Sequence, residues 1–145
     1  MRAPYILEFG LILMDKKVDE LMGKIKSAIP GKSYLALMDE EGKILYNNFH
    51  SGLNGNIKNF APAIKTMDVG DYQIKNYPKS CLIIYKVSDR LALIIESYVK
   101  EGLLIFTLKN IAQNFREQFF ELDLIRMFSD MVEEEGEVKI TEQVF

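Results

Sequence analysis

The sequence predicts a small α+β domain of the α/β/α sandwich type: a five-stranded antiparallel sheet with helices on both faces. Three observations predict it. An alternating segment at Ser33–Asp39 meets the acidic turn Asp39-Glu40-Glu41-Gly42 and then a second alternating segment, 43–49. Two apolar runs, Cys81-Leu82-Ile83-Ile84-Tyr85 and Leu91-Ala92-Leu93-Ile94-Ile95, are joined by a tight connection at Ser88-Asp89. Stretches of helical period stand before, between and after these strands. Strands apolar on both faces must be covered on both, which requires helices on each side of the sheet.

Each element follows from its own residues. Residues 1–14 are apolar without a clear period, fitting either an extra strand or the lead-in to a helix. Val18, Leu21, Met22, Ile25, Ala28 and Ile29 fall at helical spacing, with Asp15 as an expected N-cap and Pro30-Gly31 as the stop. In the hairpin that follows, an acidic turn closing on glycine suits a type I turn with a bulge. Simple alternation puts Ile44 and Tyr46 on one face of its second strand and Leu45 and Phe49 on the other.

Residues 50–56 read as a polar loop. The next helix is expected over about 56–68, starting late near Phe60 or bending there, because Pro62 is tolerated only in a first turn. A strand at 71–77 stops at Pro78, and strands at 80–88 and 90–98 form an antiparallel pair. Leu104, Leu108, Ile111, Phe115, Phe119 and Leu122 then define a long terminal helix, either continuous or broken near Asp123. The resulting order is helix, strand, strand, helix, strand, strand, strand, helix.

Composition narrows the class. With 145 residues, 48% of them hydrophobic, the chain can bury a core without disulfide or metal staples. The N-terminal apolar stretch is too short to span a bilayer and includes Glu8. It also lacks the basic flank and cleavage site of a signal peptide. The single cysteine, Cys81, excludes an internal disulfide framework and fits a cytoplasmic setting. Residues 129–145 hold six acids and one base within a net charge of −3, so the preceding chain is slightly positive. Its bases form no dense run, which argues against nucleic acid as a partner; the acidic end reads as a solvated tail.

No catalytic, cofactor or metal constellation emerges. His50 is the only histidine, which removes multi-histidine metal sites. Cys81 opens an apolar strand, far from the electropositive setting that a reactive thiolate needs. Gly52-Leu53-Asn54-Gly55 has the wrong spacing for a dinucleotide loop, and Gly31-Lys32-Ser33 precedes a strand where a phosphate loop must precede a helix. The carboxylates of Asp39-Glu40-Glu41 lie in a solvated turn, unsuited to general-acid work. An enzyme is therefore not expected. Surface for partners is what remains. The short helix carrying Ile57, Phe60, Ile64 and Met67, beside the mixed strand with Tyr72 and Ile74, is the expected interface between two copies, since an open sheet edge seeks a partner. Phe115, Phe119, Phe120, Met127, Phe128 and Met131 form a second apolar collection.

The order of elements and several motifs resemble the roadblock/dynein light chain family over residues 17–116. Ile29-Pro30-Gly31 looks like that family's first helix exit, and Asp39-Glu40-Glu41-Gly42-Lys43-Ile44-Leu45 like its first hairpin. Leu91 to Glu96, then Lys100-Glu101-Gly102-Leu103-Leu104, looks like its last strand and helix start. Longin and profilin-like folds share related architectures. The resemblance implies a roadblock-like unit at 15–123, an N-terminal extension at 1–14, and a C-terminal helical extension with an acidic tail at 124–145. It also implies a non-catalytic scaffold without cofactors. Such proteins dimerise through the middle helix and the strand after it. They bind small Ras-like GTPases or larger complexes, in some prokaryotic cases promoting GTP hydrolysis. The competing expectation is a ligand-sensing module of the PAS or GAF kind. Those modules also wrap helices round a five-stranded sheet, but they need an internal pocket of about 300 Å³ or more.

Overall fold

The computed structural model describes residues 2–49 and 57–128, with side chains from Leu13 onward. His50, the loop 50–56 and the acidic tail 129–145 lie outside the described residues. The elements are α1 (Arg2–Ala28), β1 (Ser33–Asp39), β2 (Ile44–Asn47), a 3-10 turn (Lys58–Phe60) and α2 (Ala61–Thr66). Then come β3 (Tyr72–Asn76), β4 (Cys81–Lys86), β5 (Leu91–Ser97), α3 (Glu101–Asn114) and α4 (116–128). Among the described residues, no helix is long and apolar enough to cross a membrane.

The five strands form one antiparallel sheet in the order β2-β1-β5-β4-β3, which puts β5 at the centre and leaves β2 and β3 as edges. Alternate side chains of the inner strands enter two separate cores. On one face, Leu35, Leu37, Ile83, Leu93 and Ile95 meet Met22 and Ile25 of α1, Leu104 and Leu108 of α3, and Phe119 of α4. On the other, Ala36, Met38, Ile84 and Ile94 are covered by Ile57, Ala61 and Ile64. The two-faced apolar strands are therefore covered on both sides, as their sequence requires.

Several local expectations change. Asp15 caps nothing: it lies in mid-helix, because no breaker separates residues 5–14 from the amphipathic stretch and α1 runs through both. Pro4 falls in the first turn, where its missing N–H has no helical acceptor to lose. The second helix starts late, with the 3-10 turn leading into α2 and Pro62 in that helix's first turn. The terminal helix breaks at Phe115, not near Asp123. Phe115 adopts φ −109° and ψ 18°, yet its N–H still donates to Ile111 O (2.9 Å) and its carbonyl accepts from Phe119 N (3.1 Å). Asp123 stays helical and turns its side chain inward, 6% exposed.

The β1–β2 hairpin closes as its sequence predicts. Gly42 takes φ 90°, a region that an L side chain rarely enters, and its N–H donates to Asp39 O at 3.1 Å. Asp39 Oδ1 accepts from Glu41 N (3.0 Å) and Lys43 N (2.9 Å), satisfying the turn's backbone. Simple alternation fails in β2, however. Leu37 pairs with Tyr46 but Met38 with Ile44, so Leu45 is the extra residue of a bulge. Ile44 consequently packs toward the α2 core, while Leu45 and Tyr46 both pack toward the α1 core.

Candidate protein-interaction site

The two sheet edges differ. β2 is four residues long, bulged and half-buried, features that discourage pairing with another chain. β3 has four exposed residues and one half-buried, with bonded neighbours only on the β4 side. Among the described residues no strand pairs with its outer N–H and C=O groups, and no proline interrupts Tyr72–Asn76.

The pairing register places the β3 side chains. Tyr72 lies opposite Tyr85 and stacks on it, with ring centroids 6.1 Å apart and planes within 4°. Lys109 of α3 holds its Nζ 5.9 Å from the Tyr72 ring centroid, and Ile74 packs half-buried into the α1 core. Lys75 lies opposite Leu82 on the other face and sets its Nζ 4.7 Å over the Phe60 ring. Such a cation–π contact is worth about 0.5–1 kcal/mol at an exposed site. Tyr77, 46% exposed, follows the strand; its N–H donates to Ser80 O at 2.9 Å.

Between the 3-10 turn and the sheet lies a groove of about 230 Å³ lined by Phe49, Ile57, Asn59, Phe60, Lys75, Tyr77, Leu82 and Glu96. That volume falls short of the roughly 300 Å³ at which small-molecule pockets begin. The groove opens beside the β3 edge, so aromatic surface and free strand edge form one continuous face.

Of the six residues expected at an interface, Phe60 lines this groove, whereas Tyr72 and Ile74 lie on the same β3 edge but on the other face of the sheet, toward α1 and α3. Ile57, Ile64 and Met67 are 2%, 0% and 7% exposed and serve the second core. A short helix that alone covers one side of a sheet has to spend its apolar residues inward. Lys75 and Tyr77 were not singled out in the sequence. The signal was the alternation Gln73, Lys75, Tyr77, which marks the half of β3 that faces the groove.

Lys86 holds this face together from within. It is 5% exposed, and its ammonium donates to Ile64 O (3.1 Å) near the C-terminal end of α2 and stands 3.8 Å from Glu40 Oε2. One lysine thus ties α2, β4 and the hairpin turn, sharing the Ile64 carbonyl with the Met67 amide that caps α2 (3.1 Å).

Reactive chemistry finds no footing nearby. Burial, and secondarily the charge of Glu101, push the Cys81 thiol's pKa up, away from a thiolate. Among the described residues, no group of three acidic, histidine or cysteine side chains is placed to hold a metal ion.

In sequence, no protein-family model and no curated protein matches the chain. Solved structures do match. MglB from Myxococcus xanthus superposes with a TM-score of 0.58 at 14% identity, covering 74% of this chain and 91% of that one. A structure of MglB in a tetrameric arrangement gives 0.56 at 13% identity, over 75% and 92% of the two chains. The chain has the fold of MglB. MglC from Myxococcus xanthus agrees, with a TM-score of 0.52 and 16% identity over 70% of this chain and 98% of that one. The resemblance to the roadblock fold, read first from the hairpin and the Pro-Gly exit of α1, therefore holds in three dimensions. Identities of this size establish the architecture and leave partners to be argued from the surface.

Proposed function

We propose that this chain is a homodimeric, non-catalytic adaptor that regulates a small Ras-like GTPase, working by contact in the cytoplasm. In this reading residues 15–123 are the roadblock-like unit, with 1–14 and 124–145 as extensions. The observation that carries it is the β3 edge: open, free of proline, and flanked by Phe60, Lys75 and Tyr77 in a fold shared with MglB and MglC. Two copies related by a two-fold axis, with their β3 strands antiparallel, join two sheets into one and satisfy both edges. The joined surface then offers a broad platform for a GTPase. Phe60, Tyr72 and Ile74 are the contact residues, and Ile57, Ile64 and Met67 support them from below.

Sedimentation of the purified chain tests the dimer, and capture of small GTPases from the source organism, in GDP and GTP forms, tests the partner. A dimer that binds one nucleotide form preferentially is the expected result. A chain that stays monomeric at the highest attainable concentration, or a dimer that ignores every small GTPase, overturns the reading.

A further inference from the structure

The backbone of β3 sorts its residues into two sets. Tyr77 N–H donates to Ser80 O at 2.9 Å, and Asp71 O accepts from Lys86 N at 3.0 Å, so both turn their amide groups toward β4. Direction alternates along a strand, and Gln73 and Lys75 therefore point to β4 as well. Tyr72, Ile74 and Asn76 hold their N–H and C=O groups outward, where no strand of the described residues pairs with them. Side chains follow the same parity. Tyr72 and Ile74 lie on the face of α1 and α3, and Asn76 Nδ2 donates there to Glu101 Oε2 at 3.3 Å. Lys75 and Tyr77 lie on the groove face.

A two-fold pairing of β3 with a second copy can centre on Gln73, Ile74 or Lys75. With Ile74 opposite its twin, Tyr72 faces the partner's Asn76, and every outward N–H and C=O of these residues is bonded. Moving the centre to Gln73 sets Asn76 against the partner's Gly70, whose N–H is already given to its own Lys86 O at 2.8 Å. Moving it to Lys75 sets Tyr72 against the partner's Pro78, which has no N–H to give. Backbone satisfaction selects Ile74.

We infer that two copies join in the register centred on Ile74, with the Tyr77 hydroxyl of each seated on the partner's Asp71. Resting on the β3 dimer proposed above, this register names the side chains that decide its pairing. On the groove face, residues opposite one another are the closely spaced kind, with Cα atoms about 4.5 Å apart. Gln73 lies opposite the partner's Lys75, and Tyr77 opposite the partner's Asp71. Asp71 is exposed; among the described residues only Asp68 N donates to its carboxylate, at Oδ2 (3.1 Å), which leaves Oδ1 for a phenol. Tyr77 lines the groove, so the partner's carboxylate borders it and each groove becomes a site shared by both copies. The two Lys75 side chains fall on a diagonal of about 7–8 Å. Each ammonium is drawn aside over its own Phe60 ring, 4.7 Å from the centroid. Charge favours a second copy as the occupant of this edge. Asp68 and Asp71 precede β3 and Lys79 follows it, so antiparallel copies bring opposite charges together at both ends.

Cysteine cross-linking of the full chain reads the register. Gln73→Cys, Lys75→Cys and the double variant alter exposed positions, while Cys81 is buried in all three. After oxidation with copper phenanthroline, covalent dimers are scored on a non-reducing gel. A disulfide needs Cα atoms closer than about 7 Å, so only directly opposite positions link. The double variant is expected to link and each single variant to stay unlinked. Linking of Gln73→Cys alone, or of Lys75→Cys alone, centres the junction on that residue and overturns the register while the β3 dimer stands. A chain that sediments as a dimer but links in no variant is joined elsewhere, which overturns the register and the β3 junction together. A chain that sediments as a monomer overturns the dimer itself. Tyr77→Phe is expected to weaken dimerisation about tenfold, the worth of one charge-assisted hydrogen bond. An unchanged dissociation constant removes the contact between Tyr77 and the partner's Asp71.

Discussion

Arg126 reaches from α4 to Asp39 at the end of β1, with its Nη2 2.5 Å from Asp39 Oδ2; the aspartate is buried and the arginine partly so. The same carboxylate uses its other oxygen to hold the hairpin turn, accepting from the backbone of Glu41 and Lys43. One aspartate therefore joins a local turn to a helix 87 residues later in the chain.

Removing the cation leaves that carboxylate buried without its charge partner. Arg126→Ala is expected to destabilise the fold by about 3 kcal/mol, the range for breaking a buried pair on one side. Arg126→Lys should recover only part, since an ammonium cannot reproduce the guanidinium's geometry. Urea denaturation followed by circular dichroism reads both; equal stability of Arg126→Ala and wild type would show that the pair contributes nothing.

Asp123 lies three residues earlier in α4, and its environment acts in the opposite direction. Burial raises its pKa above the ordinary 3.8, outweighing the Ser88 hydroxyl and the Arg90 amide, which lower it. Oδ1 of this carboxyl and Ser88 Oγ are both buried without a partner in good hydrogen-bond geometry. A raised folded-state pKa stabilises the protein below the unfolded value near 3.8 and loses that contribution as pH climbs through the folded value. Asp123→Asn is thus expected to be more stable than wild type at pH 7, by about 1 kcal/mol, the scale of one relieved buried polar group. Its advantage should shrink toward acid pH. A wild type that equals or exceeds the variant across neutral pH would contradict this account.

Lys86 makes a claim about local motion. Lys86→Met keeps the stem packed but removes the ammonium between Ile64 O and Glu40, leaving that carbonyl with the Met67 amide alone, at a cost of about 1 kcal/mol. Hydrogen exchange should then quicken in α2 and the 3-10 turn while β5 at the sheet centre stays protected. Uniform quickening across the sheet would mean that Lys86 supports the whole core and not the α2 tie alone.

Position decides which residues are useful for testing the β3 dimer. Ile64 is fully buried, so Ile64→Asp should unfold the chain by placing a charge in the second core, a loss above about 4 kcal/mol. Phe60→Lys alters a half-exposed ring and should leave melting within a few degrees while weakening dimerisation at least about tenfold, the worth of one interface anchor near 1.4 kcal/mol. Analytical ultracentrifugation across a dilution series measures the shift, and an unchanged dissociation constant would remove Phe60 from the interface.

Periodicity and turn chemistry alone determined the element order, the antiparallel sheet with both faces covered and the glycine-closed hairpin, and narrowed α2 to a late start or a bend near Phe60. Each depends on residues near one another in sequence: Asp39 with Gly42, Pro62 with Phe60, one apolar run with its neighbour. What those signals leave open is which apolar residues face inward, because a helix stripe looks the same whether it meets its own sheet or another molecule. Only the tertiary structure assigned Ile57, Ile64 and Met67 to the core and Phe60, Lys75 and Tyr77 to the surface. It alone reversed Tyr46 through a bulge, moved the last helix break to Phe115, and brought Arg126 of α4 onto Asp39. Those outcomes depend on strand register and on contacts between residues as distant as Asp39 and Arg126, and no local pattern encodes them.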